Sequence, residues 1–462
     1  MILSMPSHPI DYQIQSNVFS TPELVALFDE QARFARWLCI EAALARAQAD
    51  LGVIPQAAAE MICSKALLSQ IDLEQLTEEY KTSRNSLMPL VKTLKKACGK
   101  NHGEFVHFGI TTQDVLDTGQ ILELKAFFQI LYRDLRRLEE ICLDLTLRHK
   151  ATPMVGRTHG QQAIPITFGL KTAVWLSEIR RHIARLKSLA KRTLQGQLGG
   201  AVGTMAALGP MAQEIRGKTF AYLELEHSTL SWHTSRDNMA EVAAFQAILA
   251  GTLEKIANEI FQLGKTEIGE LKETAPIATH SSSTMPHKSN PVLCQRVAVL
   301  ARQSRGLASL IIDSMVHEHE RDARALWSEW LNIPQISIYT GTAVYYLVEV
   351  MRHLTVDSDR MRQNLYMQKE MVMSEWLLFQ FGAQIGKMSA QEKLHGLIRK
   401  AQTENISLTE LLANDALLGP LLNQEQLDFL NHPELYVGQA LSLIEQTICQ
   451  VEVERQNDPE TL

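Results

Sequence analysis

The sequence predicts an all-α protein. Apolar residues recur at three- and four-residue steps over long stretches, strand signals are few, and short polar segments punctuate the helical stretches. Glu23 to Leu51 carries the helical spacing and ends near Gly52 and Pro55. Asp114 to Lys150 is a long helix, with Gly119 interrupting its first turns, and Pro165 to Leu194 is another. The longest expected helix runs from about Asp237 to Glu273. There Val242, Phe245, Leu249, Leu253, Ile256, Ile260 and Leu263 form a buried stripe. Pro291 to about Arg321 follows. Such rods outrun the usual helix of about 11–12 residues. One chain struggles to bury both their flanks, which predicts a helical bundle that oligomerises.

A chain of 462 residues with 45% hydrophobic content can bury a large interior, divided into roughly two to four domains. A net charge of -7 argues against nucleic acid as the main partner. The six cysteines are scattered without a CxxC pair, so neither a zinc site nor a disulfide framework is indicated. Met1 to Gln13 does not read as a secretory signal, and no apolar run approaches a membrane span. The expected setting is reducing and cytoplasmic. Glycine-rich Gln195 to Gly209 follows no predicted strand, which argues against a dinucleotide fingerprint, and there is no P-loop.

Four polar segments carry the candidate chemistry. Ser281-Ser282-Ser283-Thr284-Met285-Pro286-His287-Lys288-Ser289-Asn290-Pro291 puts hydroxyls, a cation and an amide donor in one loop. These groups suit removal of a proton next to a carboxylate and stabilisation of the resulting charge. In Val106 to Asp114, Thr111 and Thr112 precede a helix, where hydroxyls and free amides can hold a carboxylate or simply cap the helix. In Gly156 to Gln162, His159 is a candidate acid or base, or a solvated loop histidine. In Trp232 to Asp237, Arg236 could clamp an anion, or Thr234 or Ser235 merely caps the helix. His317-Glu318-His319-Glu320-Arg321-Asp322 is read as a charged helical face rather than a metal site, because residues two apart on a helix diverge.

Together these segments resemble the fumarase/aspartase superfamily. Its signature Gly-Ser-Ser-x-Met-Pro-x-Lys-x-Asn-Pro matches Ser281 to Pro291. Gly109 to Asp114 and Gly156 to His159 match its other elements in the same order. The resemblance implies a three-domain all-α fold: an N-terminal helical domain over 1–110, a central long-helix domain over 111–355 and a C-terminal helical domain over 356–462. It also implies a homotetramer with a central twenty-helix bundle and active sites shared by three subunits. The implied chemistry makes or breaks a C–O or C–N bond beta to a carboxylate, through an aci-carboxylate intermediate, with no metal or organic cofactor. Ser282 would be the base, Lys288 and Asn290 would stabilise the intermediate, and His159 would protonate the leaving group. Thr111, Thr112, Arg84, Asn85, Thr158, Gln161, Arg236, Ser283, Met285 and Arg321 would bind a small di- or tricarboxylate.

Two branches compete. Arg157 to Gln161 and His319 to Asp322 look like adenylosuccinate lyase. Asn85 to Lys92, Val106 to Gly109, Trp232 to Thr234, Glu329-Trp330 and Leu38 to Gly52 look like 3-carboxy-cis,cis-muconate cycloisomerase. Adenylosuccinate lyase needs a second His where Asn85 stands, an Arg-Tyr pair in the region of Asn17 to Ser20, and an Arg where Trp330 stands. Departures from the other branch are His159 where a Trp is usual, and Ser281 and Ser289 within the signature. Lyases pair that His with a Glu, whose position here is Gln295. The leading expectation is a cycloisomerase-like enzyme. The alternatives are adenylosuccinate lyase or another amino-dicarboxylate lyase releasing fumarate, and a non-catalytic helical scaffold.

Overall fold

The computed structural model describes residues 7–16, 18–274, 285 and 288–462. It is 69% helical with eighteen α-helices among the described residues, so the fold is all-α. Five long helices form its centre: α1 (Thr112–Arg148), α2 (Phe168–Thr193), α3 (Asp237–Leu263), α4 (Val292–Asp313) and α5 (Ala323–Arg352). α1 packs on α2 and α5, α3 on α2, α4 and α5, and α4 on α5. The stripe expected on α3 is buried throughout, from Val242 to Leu263.

The boundaries depart from the expectations for local reasons. The stretch from Glu23 to Leu51 is two helices, Pro22–Phe28 and Glu30–Asp50. They are separated by Asp29, whose carboxylate caps the second by accepting from the Ala32 amide at 2.8 Å. α3 stops at Gly264 rather than Glu273. Gly269 then turns with φ 66°, a left-handed conformation open to glycine, and Leu271–Glu273 is a strand, β3 below. α4 ends at Asp313, so residues 314–322 form an irregular connection instead of more helix. The longest helix is therefore α1, with 37 residues against 27 in α3. Its Gly119 is a packing site. A Cβ there would lie 2.6 Å from Nε1 of Trp37, so the glycine lets the Glu30–Asp50 helix lie directly on α1. α5 is not anticipated by the periodicity reading. Pro334 sits inside it, where proline normally argues against helix.

Short antiparallel pairs brace the helices. β1 (Pro153–Thr158) and β2 (Gln161–Thr167) form a hairpin ahead of α2, and β3 (Leu271–Glu273) pairs with β4 (Leu354–Val356). One hydrophobic core joins the N-terminal helices to the bundle. A smaller one unites Val155 of β1 with Leu365 to Leu430. The last helix, Ala440–Arg455, returns to pack on α2. Among the described residues no helix is long and apolar enough to cross a membrane.

Candidate active site

The N-terminus of α1 is the most fully built part of the site. Asp114, in the first turn, is buried, and its carboxylate accepts from four donors. These are the amides of Thr111 at 3.0 Å, Gly199 at 2.8 Å and Gly200 at 3.0 Å, and Nε2 of His233 at 2.9 Å. It thereby fixes the glycine-rich loop beside Thr111. The capping alternative for this segment is realised through Asp114.

Arg321 closes over the same point. Its Nε donates to Oε1 of Gln113 at 2.9 Å, and Nη1 reaches Oγ1 of Thr111 at 3.4 Å. Nη2 donates to the carbonyls of Gly200 at 3.3 Å and Ala201 at 2.9 Å. A guanidinium carries five N–H groups, so these bonds leave one available on Nη1 at a solvent-facing site. Thr111 and Arg321 are thus brought together, with Thr112 as the first residue of the helix. The His317 to Asp322 cluster is not the helical face expected from spacing. It belongs to the irregular 314–322 connection, which is what lets Arg321 reach back to α1. Among the described residues no group of three His, Cys, Asp or Glu could hold a metal ion.

Arg236 requires a correction. It is 1% exposed, and its guanidinium is consumed internally. Nη1 donates to Oδ2 of Asp117 at 2.9 Å, Nε donates to both oxygens of Glu329, and Nη2 also bonds Glu329. Trp232 covers it at 4.7 Å. Burial pulls the guanidinium down, but Asp117 and Glu329 outweigh it and hold Arg236 above its ordinary value. Burial pushes Glu329 up, against the pull of Arg236. A group locked this way clamps the fold, not a substrate anion. Gln113 links this ion cluster to the surface. Its Nε2 donates to Asp117 at 3.1 Å while its Oε1 receives Arg321.

His159 and Gly160 form the two-residue turn of the β1–β2 hairpin, both with positive φ (52° and 78°), as a type I′ turn requires. Thr158, His159 and Gln161 are all exposed at this tip. The strand leading into the tip is anchored instead. Arg157 donates to both oxygens of buried Glu270 at 2.6 and 2.9 Å, and Asn364 Nδ2 donates to the same carboxylate at 2.8 Å.

Lys288 and Met285 are exposed, with the Lys288 amide donating to the Met285 carbonyl at 3.0 Å. The Asn290 carbonyl accepts from Val292 at 2.9 Å. Ser282 and Ser283 lie outside the described residues. Arg84 and Asn85 line a separate cleft of about 440 Å³ with Arg33, Phe34, Trp37 and Tyr80. Asn85 braces the turn into the Met88–Ala97 helix: its Oδ1 accepts from the amides of Leu87 at 3.0 Å and Met88 at 2.9 Å. Trp330 stacks on Trp37 with ring centroids 6.1 Å apart, which makes the neighbourhood of this cleft aromatic.

Sequence reasoning missed Gln113, His233 and the pair of His107 with Glu41, and saw in Asp114 no more than a helix cap. His107 Nδ1 lies 2.6 Å from Glu41, and its amide donates to the same carboxylate at 3.0 Å. Burial pulls the imidazole down, and Glu41 more than reverses this, so His107 is held above its ordinary value. The motif from Val106 to Asp114 contained both His107 and Asp114, but their partners are more than 60 residues away in sequence. Among the described residues no hydrogen bond joins the hairpin tip, Lys288 or Asn290 to the Thr111–Arg321 cluster.

Known proteins share the sequence and fold of this chain over most of its length. The family described as Lyase matches residues 17–306. The chain belongs to this lyase family, within the fumarase/aspartase superfamily. N-acetyl-S-(2-succino)cysteine lyase of Dickeya dadantii is 38% identical over 96% of this chain and 98% of its own length. Adenylosuccinate lyase of Methanocaldococcus jannaschii is 34% identical over 96% of both chains, and 3-carboxy-cis,cis-muconate cycloisomerase of Pseudomonas aeruginosa is 35% identical over 95% and 96%. The crystal structure of 3-carboxy-cis,cis-muconate lactonizing enzyme from Pseudomonas putida superposes with a TM-score of 0.87 at 32% identity, covering 95% of this chain and 98% of that one. This lyase is therefore an enzyme of the lyase and cycloisomerase class, and the scaffold alternative is set aside.

Proposed function

We propose that this lyase releases fumarate from a small S-succinyl thioether by β-elimination. A base takes a proton from the carbon next to one carboxylate. The electron pair forms the carbon–carbon double bond, the C–S bond breaks, and the sulfur leaves as thiolate. In this reading Ser282 takes the proton, and Lys288 and Asn290 carry the charge of the aci-carboxylate. Thr111, Thr112 and the remaining N–H of Arg321 hold a carboxylate, and His159 faces the leaving group.

One observation carries the choice of leaving group. The candidate acid, His159, is an exposed turn histidine, and the residue in the place of its usual carboxylate partner is Gln295. A thiol has a pKa of about 8.5, so a thiolate departs with little help from an acid. An amine leaving as its anion demands full protonation. The 38% identity to an enzyme named for an S-succinyl substrate supports the same class. A nucleotide fits less well. Of the two arginines lining the Arg84 cleft, Arg33 is bound to Glu123 by two hydrogen bonds, and Glu30 adds a negative charge there, which weakens the cleft as a seat for a phosphate dianion. The second reading is cycloisomerisation of 3-carboxymuconate, favoured by the motifs around Asn85, Trp232 and Trp330 and by the 35% identity to the Pseudomonas aeruginosa enzyme.

The reading includes a homotetramer with shared sites. Five long helices per chain would supply a twenty-helix bundle from four copies. Val299, Leu310, Ile312, Trp327 and Leu331 are exposed apolar side chains on α4 and α5 that such packing would cover. Light scattering should give four times the chain mass of 51.9 kDa, and a monomer would refute it.

The substrate test follows ultraviolet absorbance with N-acetyl-S-(2-succino)cysteine, adenylosuccinate and 3-carboxymuconate in parallel. Turnover of the thioether with fumarate as product, abolished by Ser282→Ala, is expected. Turnover of either other acid with none of the thioether overturns the proposal.

A further inference from the structure

Helix α4 begins directly behind the segment that carries Lys288 and Asn290, and its own residues do not cap it. The first-turn amides of any helix lack intrahelical acceptors, and here the N-cap residue is Pro291, with no side-chain cap bond. The acceptor comes from 20 residues upstream. Glu273, the last residue of β3 and 5% exposed, accepts from the Leu293 amide through Oε1 at 2.9 Å and from the Cys294 amide through Oε2 at 2.9 Å. A carboxylate at this helix end is also favoured by the helix dipole.

The strand that presents Glu273 is itself held by β4. β3 pairs with β4, which places Glu273 opposite Leu354, and Oγ1 of Thr274 lies 2.7 Å from Oγ1 of Thr355. Glu270, just before the strand, anchors Arg157, two residues ahead of His159 at the hairpin tip. One short stretch, 270–273, therefore ties down two of the segments that carry candidate catalytic groups.

We propose that Glu273 is a positioning residue for Lys288 and Asn290. It touches neither a substrate nor these side chains. It fixes the backbone at Leu293 and Cys294, three and four residues beyond Asn290, to the β3–β4 pair. This rests on the proposed role of Lys288 and Asn290 in stabilising the aci-carboxylate. Stabilisation of that kind acts in the transition state, and a misplacement of about 1 Å can cost about 10²-fold in rate. A lost clamp should therefore appear in kcat and leave KM nearly alone.

The test uses Glu273→Ala and Glu273→Gln in the full chain. In the Ala variant, amide hydrogen exchange at Leu293 and Cys294 should speed up by about tenfold or more. Its kcat should fall by about 10²-fold with KM changed less than about threefold. Gln keeps one acceptor oxygen and should recover kcat to within about tenfold of wild type. Rates are read on whichever of the three acids the wild type turns over, so a wrong leaving group does not disturb this experiment. Faster exchange with unchanged kcat would make Glu273 a structural cap only and overturn the proposal. Unchanged exchange, or a loss confined to KM, would overturn it as well. If the Ala variant does not fold, the Gln variant is judged by the same two readings at its smaller expected effect. A wild type inert toward all three acids sinks the proposed function and the catalytic role of Glu273 together, and exchange still decides whether the clamp exists.

Discussion

Glu329 holds Arg236 through two of its guanidinium nitrogens at a place where neither side chain reaches solvent. Asp117 takes the third nitrogen, so one cation lies between two carboxylates at the heart of the bundle. Arg236→Met leaves both carboxylates buried without a counter-charge. It should cost about 3–5 kcal/mol of stability, read from the midpoint of denaturant unfolding. A variant with wild-type stability would contradict the internal role.

Arg321 presents the opposite case, a cation at the surface with its geometry set from below by Gln113. Arg321→Ala should raise KM by about 10–100-fold, the worth of a charge-assisted hydrogen bond to a carboxylate. Arg321→Lys should recover little. A single ammonium cannot span Gln113, Thr111 and the carbonyl of Ala201 at once. Steady-state kinetics on both variants checks this.

For His159 the expectation depends on the leaving group. His159→Asn should lower kcat less than about tenfold with a thioether, and by about 10²–10⁴ with an N-succinyl amine of the same shape. Equal losses on both substrates would show that the thiolate needs the acid as much as the amine does, against the argument from Gln295.

Stability should fall on mild acidification, and His182 supplies a specific reason. Its ring is buried on α2, with Nε2 2.9 Å from Oγ1 of Thr252 and Nδ1 without a partner among the described residues. Burial, reinforced by Arg185, Arg181 and Lys255, pulls its pKa down to about 4 from 6.5. The folded state therefore keeps His182 neutral where the unfolded chain would take up a proton. Its contribution is complete above pH 6.5 and is lost as pH falls from there toward 4, about 3 kcal/mol in all. Urea unfolding across that range should show the slope, and His182→Gln should flatten it.

Much of this molecule is legible in its local sequence. Periodicity finds α1 to α4 because a stripe such as Val242 to Leu263 is a consequence of helical geometry. The segments around Thr111, His159 and Lys288 announce themselves because polar clusters between apolar rods have no packing explanation. The helix ends were less legible. Gly264 ends α3 early because the following residues find better bonds in β3, and that choice depends on β4, more than 80 residues away.

What the sequence by itself determined is therefore the all-α class, the family and the inventory of candidate groups, since all three rest on local pattern and ordered motifs. Only the tertiary structure decided what each charge does. Arg236 and Arg321 look alike as residues beside polar runs. One is sealed between Asp117 and Glu329, and the other is held open at Thr111. The difference is burial, which makes an unpaired charge intolerable and forces the interior arginine to bond inward. No local pattern encodes it, because the carboxylates that satisfy Arg236 come from α1 and α5, about a hundred residues to either side.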